Sequence, residues 1–419
     1  VRTVLLNDSF PPVIDGVSNA VVNYASVLQA HGHAPLVGVP DYPGAVDDYP
    51  FPVVRYKSLD TTKLVGYRAG YPFSAPAIAA LAEHKPEIIH SHCPIASNLL
   101  ARTLRESTGV PVIFTYHTKF DIDIRTAVRG HLLQNELINA LVRNIQACDE
   151  VWTVSRGAGE NLHAIGYEGD CIVMENGVDM PQGRAPQAEI DAISRRYGLR
   201  EDVPVFLFAG RLRWYKGIRH IIEGLALAMH RGADFRMVFV GDGTDRAGIE
   251  KLCEQAYLMP RCIFTGAIQE REQLRAFYSR ADLFLFPSTF DTNGIVVREA
   301  AACGLGALLI AGSCAAEGVT DGRNGLLMQE NAEDLCSKVL FACENREALR
   351  RIGEHAQQEL YISWDTAVSR AEERYAIAAE RHRAHPAKRR WDLFPLVSDW
   401  VDTVNRIREV SQQVLDLLK

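Results

Sequence analysis

The sequence predicts an α/β chain of two Rossmann-like, doubly wound domains facing each other across a cleft. Three observations predict it. Short apolar runs alternate with stretches of helical spacing along most of the chain. The alternation pauses once, at Pro181-Gln182-Gly183-Arg184-Ala185-Pro186, and then restarts. The length of 419 residues also exceeds what one hydrophobic core usually organises.

The first-half runs are Val1–Leu6, Ala34–Val39, Ile88–His90, Val112–Thr115, Glu150–Val154 and Cys171–Met174. They are short and mostly apolar, as strands covered on both faces are. Between them, segments such as Ala20–His31 and Ala96–Ser107 place apolar residues at three- and four-residue steps, the period of a helix face. Strand and helix in alternation give a parallel sheet. The pattern resumes at Val205–Phe208 and runs through Met237–Val240, Cys262–Phe264, Leu283–Phe286 and Ala307–Ile310. The expected domains are residues 1–181 and 187–360, followed by C-terminal helices over 361–419. The tail carries Lys388-Arg389-Arg390-Trp391-Asp392-Leu393-Phe394 and then an amphipathic helix from about Val397 to Leu418. Its apolar face needs a cover. The candidates are the chain itself, a second copy in a homodimer, or a membrane surface.

Ligands of such sheets bind beyond the strand C-termini, and the polar motifs fall there. After Leu283–Phe286 comes Phe290-Asp291-Thr292-Asn293-Gly294-Ile295-Val296-Val297-Arg298-Glu299-Ala300. A glycine turn opening a helix presents free N–H groups and a positive helix end to an anion. The amides around Asn293, Gly294 and Ile295 are candidate donors. Asp291 and Glu299 can reach neutral polar parts of the same ligand. After Val205–Phe208 comes Ala209-Gly210-Arg211-Leu212-Arg213-Trp214-Tyr215-Lys216-Gly217. The planar fork of Arg211 and the point charge of Lys216 suit a diphosphate. In the first half, His117 follows a strand and is a candidate to orient a ligand, with His92 behind it. Gly16 would let backbone approach a diphosphate.

Two motifs are set aside. Asp121-Ile122-Asp123 has a metal-binding look but lies away from the cations that already balance a diphosphate, so no metal is expected. Gly241-Asp242-Gly243 lacks the third glycine of a dinucleotide fingerprint, since position 246 is Arg.

Composition narrows the class further. Hydrophobic residues make up 47% and charged residues 23%, as in a globular protein, and the net charge of −7 gives no electrostatic case for nucleic acid. Nine cysteines stand singly with no Cys-x-x-Cys, as expected of reduced thiols in a cytoplasmic protein. The opening residues read as a strand rather than a leader peptide.

The Gly-Arg-x-x-x-x-Lys-Gly turn followed by carboxylate-x7-Glu resembles the GT-B retaining glycosyltransferases of family GT4. Further landmarks resemble the family in the same order: Phe10–Val17, Ile88–His92, Phe114–Thr118, Glu175–Asp179, Val240–Gly243, Phe264–Gly266 and Asp321–Gly325. The resemblance covers roughly residues 1–375, and Tyr361–Asp365 resembles the point where the family's last helices cross back. It implies a metal-independent, retaining hexosyltransferase with a nucleotide sugar as substrate and no separate cofactor. In the family, the second acid of the pair holds the ribose and the first contacts sugar hydroxyls. Carried over, these are Glu299 and Asp291, with Asp in place of the usual Glu. Arg211 and Lys216 would stabilise the leaving diphosphate, and His117 would lie near the anomeric centre. Phe114–Thr118 and the C-terminal cluster are similar to bacterial diacylglycerol glucosyltransferases. That similarity implies UDP-glucose as donor, a glycolipid acceptor, and a place on the inner face of the membrane. The alternatives are a nucleotide-sugar epimerase or phosphorylase of the same architecture, or a non-catalytic nucleotide-sugar sensor.

Overall fold

The computed structural model describes residues 1–13, 15–60, 68–128 and 130–384. The basic–aromatic cluster 388–394 and the helix expected over 397–418 lie outside the described residues. The described residues form two compact units: Val1–Glu175 together with Trp364–Ala384, and Asn176–Ser363. The division falls at Glu175, ahead of the Pro/Gly segment. Val178 is the reason: it bridges to Ser363 and its N–H donates to the Ile362 carbonyl at 2.9 Å. Those contacts tie the chain to the second unit before Pro181 is reached.

The first unit holds β1 (Arg2–Leu6), β2 (Ala34–Pro40), β3 (Val53–Tyr56), β4 (Ser58–Leu59), β5 (Ala69–Gly70), β6 (Ile88–Ser91), β7 (Val112–Tyr116), β8 (Glu150–Thr153) and β9 (Cys171–Val173). Seven of these form a parallel sheet ordered β3-β2-β1-β6-β7-β8-β9, and β4 pairs with β5 antiparallel. Edge strand β3 was not anticipated. It carries Arg55 and is only half-buried over most of its length, so it lacks a continuous apolar signal. The helix Trp364–Ala384 belongs to this unit. Tyr375 stacks on Trp152 with centroids 5.4 Å apart, and Arg374 clasps Glu150 through two 2.8 Å hydrogen bonds.

The second unit holds β10 (Val205–Ala209), β11 (Arg236–Val240), β12 (Cys262–Gly266), β13 (Leu283–Phe286), β14 (Ala307–Ile310) and β15 (Leu326–Met328), all parallel in the order β12-β11-β10-β13-β14-β15. Phe206, Phe208, Phe239, Phe284 and Phe286 fill its core at 0–1% exposure.

The order of strands places the site. In both sheets the chain winds outward on one side, then returns to the centre and winds the other way. A crevice opens at the reversal, beyond the strand C-termini. In the second unit the reversal lies between β10 and β13, which pair at Phe206–Leu283 and Leu207–Phe284. The loops that follow these two strands carry Arg211 to Lys216 and Ser288 to Gly294. In the first unit the reversal lies between β1 and β6, ahead of Gly16 and His92. Among the described residues, no helix is long and apolar enough to cross a membrane.

Candidate active site

The loop after β10 is held close to the loop after β13 by glycine. Gly217 has φ +76°, and a Cβ there would lie 1.9 Å from the Pro287 carbonyl oxygen. Only glycine permits that approach. The consequence is direct. The Lys216 ammonium donates to Asp291 Oδ1, while Ser288 Oγ donates to Asp291 Oδ2 at 2.6 Å. Both partners of the ion pair are largely shielded, with side-chain exposures of 13% for Lys216 and 21% for Asp291. Lys216 also lies 5.6 Å from the Phe286 ring centroid. In the free protein, then, the expected diphosphate cation and the expected sugar carboxylate hold one another. Arg211 is exposed and has no ion pair among the described residues.

Helix Ile295–Ala302 starts at Gly294, which adopts φ +58° and provides no side-chain cap. Its first amides and positive end therefore face the loop. Beside it, Asn293 is 7% exposed, yet among the described residues neither its side-chain oxygen nor its nitrogen has a partner. A buried amide left unpaired costs on the order of 1–3 kcal/mol, so a native one calls for an explanation.

Glu299 sits on the same helix at 6% exposure. Its Oε1 accepts from Arg271 at 3.0 Å and its Oε2 from the Tyr278 hydroxyl at 3.1 Å. Arg271 also pairs with Asp179 at 3.2 Å. Burial raises the Glu299 pKa, and the Arg271 charge and the two hydrogen bonds oppose it. Each oxygen keeps one lone pair for a further donor. Arg271, Tyr278 and Ser288 were missed in the sequence. The signal for the first two was present: they stand two turns apart on one face of the helix Arg271–Arg280.

In the first unit, His117 is 5% exposed and shares a 3.0 Å hydrogen bond between its Nε2 and His92 Nδ1. His90 lies behind, its ring 4.0 Å from that of His92, bonded to the Tyr375 hydroxyl at 2.6 Å and Thr115 Oγ1 at 2.7 Å. A single proton in the His117–His92 bond requires the accepting ring to be neutral. Burial acts the same way, depressing His117 to about 3 and holding His90 and His92 well below the usual histidine value. Gly16 opens the helix Gly16–Ala30, capped by Asp15, and among the described residues a Cβ there would meet nothing within 4 Å. Asp121 accepts from Asn161 at 3.2 Å. Among the described residues no group of His, Cys, Asp and Glu is arranged to hold a metal ion.

The three histidines set a pH dependence. Their folded values lie below the unfolded value of about 6.5. Their contribution to stability is therefore whole above that pH and is lost as pH falls toward the folded values. Each proton is worth up to about 1.4 kcal/mol per pH unit. Calorimetric unfolding of the first unit between pH 7 and pH 5 is expected to be less pH-sensitive in His117→Gln by roughly one proton. Identical pH slopes in the two proteins would show that His117 does not titrate this way.

Comparison with known proteins bears on this geometry. Residues 189–359 match the family model described as "Glycosyl transferases group 1", and residues 14–181 match "Glycosyltransferase Family 4". The chain is 30% identical to a GDP-mannose-dependent alpha-mannosyltransferase of Mycobacterium tuberculosis, over 78% of this chain and 84% of that protein. It is 22% identical to the alpha-monoglucosyldiacylglycerol synthase of Acholeplasma laidlawii, over 85% of this chain and 92% of that one. The crystal structure of Anabaena HepE in complex with UDP superposes with a TM-score of 0.71 at 17% identity, covering 90% of this chain and all of the other, which shows the shared fold. With both sheets wound alike and the matches spanning both units, the chain belongs to the family 4 glycosyltransferases and has the GT-B fold.

Proposed function

We propose that the protein is a retaining, metal-independent glucosyltransferase that moves glucose from UDP-glucose to a diacylglycerol-type lipid. The observation that carries the donor half of this reading is the grouping at the β10–β13 reversal. Lys216, Arg211 and an uncapped helix N-terminus converge on one loop pair. As the bond between the anomeric carbon and the diphosphate oxygen breaks, negative charge builds on that oxygen. Fixed cations and amides aimed at it stabilise the transition state more than the ground state. They also take the place of a divalent ion.

The donor must first compete with Asp291 for Lys216. When the diphosphate takes the ammonium, the carboxylate is released and meets the sugar hydroxyls. Glu299, braced by Arg271 and Tyr278, takes the ribose. His117, neutral at working pH, serves as a hydrogen-bond partner on the acceptor side rather than as a store for the proton. The lipid acceptor and UDP-glucose draw support from relatives named for glucosyldiacylglycerol synthesis and from a fold neighbour crystallised with UDP-glucose. A specific observation favours one rival donor: the relative at 30% identity is named for GDP-mannose. Nothing in the comparisons supports the epimerase, phosphorylase or sensor readings.

The test uses the purified chain with diacylglycerol vesicles and labelled UDP-glucose or GDP-mannose, with and without EDTA. Lipid-extractable glucose, equimolar free UDP and an α-linked product in EDTA are expected. Transfer from GDP-mannose alone would overturn the donor. Loss of activity in EDTA with rescue by manganese would overturn metal independence.

Asn293 gives an independent check. If its unpaired amide waits for the donor sugar or phosphate, Asn293→Leu should remove a buried unsatisfied group from the free protein. The melting temperature should then rise or hold, while kcat/KM falls by about tenfold or more for one lost hydrogen-bonding pair. A lower melting temperature with unchanged kcat/KM would show that Asn293 serves the fold instead.

A further inference from the structure

The second unit has a second polar concavity, at the opposite edge of its sheet. It is a cavity of about 340 Å³ beside Ala281-Asp282, which lead into β13, and Gly304-Leu305, which lead into β14. It therefore lies at the N-terminal ends of the strands, whereas the candidate active site lies beyond their C-terminal ends. The candidate mechanism uses none of its residues.

Its charge is unusual. Arg184, Arg280, Arg346 and Arg350 line it, against Asp191, Glu201 and Asp282. Asp282 is already saturated. It accepts from Arg346 Nε at 2.9 Å, from Arg346 Nη2 at 3.2 Å and from the Val205 N–H at 2.9 Å, and Arg280 Nη1 lies 3.5 Å away. Two guanidinium groups thus share one carboxylate. Arg280 is the critical one, with a side-chain exposure of only 9%. Its remaining close partner is the Arg200 carbonyl, 2.5 Å from Nη2. A buried cation that shares its contacting carboxylate is costly, and Glu201 offsets only part of that cost from the same lining. Burial depresses its pKa, and the Arg346 charge acts in the same direction against Asp282. Arg184 and Arg350 stand exposed, with no ion pair among the described residues. The helices Gln187–Tyr197 and Arg346–Glu359 also begin here, and neither has a side-chain cap. Their free amides add to the positive field.

We infer that this cavity is a binding site for a small phosphomonoester, separate from the active site. Several guanidinium forks approaching from different elements match a tetrahedral group with three equivalent oxygens better than a planar carboxylate. The volume leaves room for an attached body, with Gln187 on the wall, its amide nitrogen now donating to Asp191, and Ser194, whose hydroxyl now donates to the Ile190 carbonyl, keeping its oxygen as an acceptor.

Calorimetric titration of the full chain with inorganic phosphate and with glucose 6-phosphate tests the inference. Three proteins are compared: wild type, Lys216→Ala, and the Arg184→Ala/Arg350→Ala double variant. Both arginines are exposed, so the double variant should melt as wild type does. Glucose 6-phosphate should bind wild type and Lys216→Ala alike, and bind the double variant at least about tenfold more weakly. Equal affinity in wild type and the double variant would overturn the site. Loss of binding in Lys216→Ala would do the same, by placing the anion at the active site. Inorganic phosphate binding as tightly as glucose 6-phosphate would overturn the phosphomonoester class.

Discussion

Lys216→Ala and Arg211→Ala are each expected to lower kcat/KM for sugar transfer by about a hundredfold, with a smaller loss of free UDP affinity. The estimate follows from one charge-assisted contact to the leaving diphosphate, worth about 3 kcal/mol in a transition state where that charge is largest. The structure separates the two variants. Removing Arg211 takes away an exposed cation and leaves the rest of the loop intact. Removing Lys216 leaves Asp291, at 21% side-chain exposure, with the Ser288 hydroxyl as its side-chain partner among the described residues. Lys216→Ala should therefore also lower the melting temperature, and Arg211→Ala should not. Steady-state kinetics with UDP titration and thermal melting read both effects. Full kcat/KM in both variants would remove the proposed site from this loop.

Glu299 carries the second large effect. Glu299→Gln keeps the side-chain shape and the acceptor for one neighbour, but loses the charge that Arg271 holds. A ribose hydroxyl bonded to an ionised carboxylate is worth about 1.5–3 kcal/mol. Free UDP is therefore expected to bind roughly ten- to a hundredfold more weakly. Asp291→Ala should behave oppositely. It frees Lys216 from its internal partner, so UDP should bind at least as tightly as to wild type while sugar transfer fails. Calorimetric titration of UDP against the two variants makes the comparison. Equal losses of UDP affinity would show that the two carboxylates do not divide ribose from sugar.

Much of this protein was written in local sequence. A strand covered on both faces must be apolar along its length, so β1, β6, β7, β10, β13 and β14 are legible as runs. Glycine turns after strands mark where the chain must bend tightly, and their polar neighbours mark the ligand edge. Hence Arg211, Lys216, Asp291 and Glu299 could be chosen before any coordinates, and the ordered motifs pointed to the family. Other features were beyond local reading. The strands β3 and β15 sit at sheet edges and are too short or too mixed to signal themselves. The return of the chain after Tyr361–Asp365 was implied by the resemblance, but the stacking of Tyr375 on Trp152, contributed from far earlier in the chain, was not.

The tertiary structure alone decided how the chosen residues meet. Lys216 and Asp291 are 75 positions apart. They pair because β10 and β13 are neighbours at the reversal of the sheet and because Gly217 admits the Pro287 carbonyl. The bracing of Glu299 by Arg271 and Tyr278 depends likewise on which helix faces packed together. So does the neutral state of His117, which comes from burial beside His92 and not from any neighbour in sequence. Periodicity and turn chemistry act over a few residues and can be read from order. Desolvation and ion pairing act through space, and exist only once the sheet has brought distant loops together.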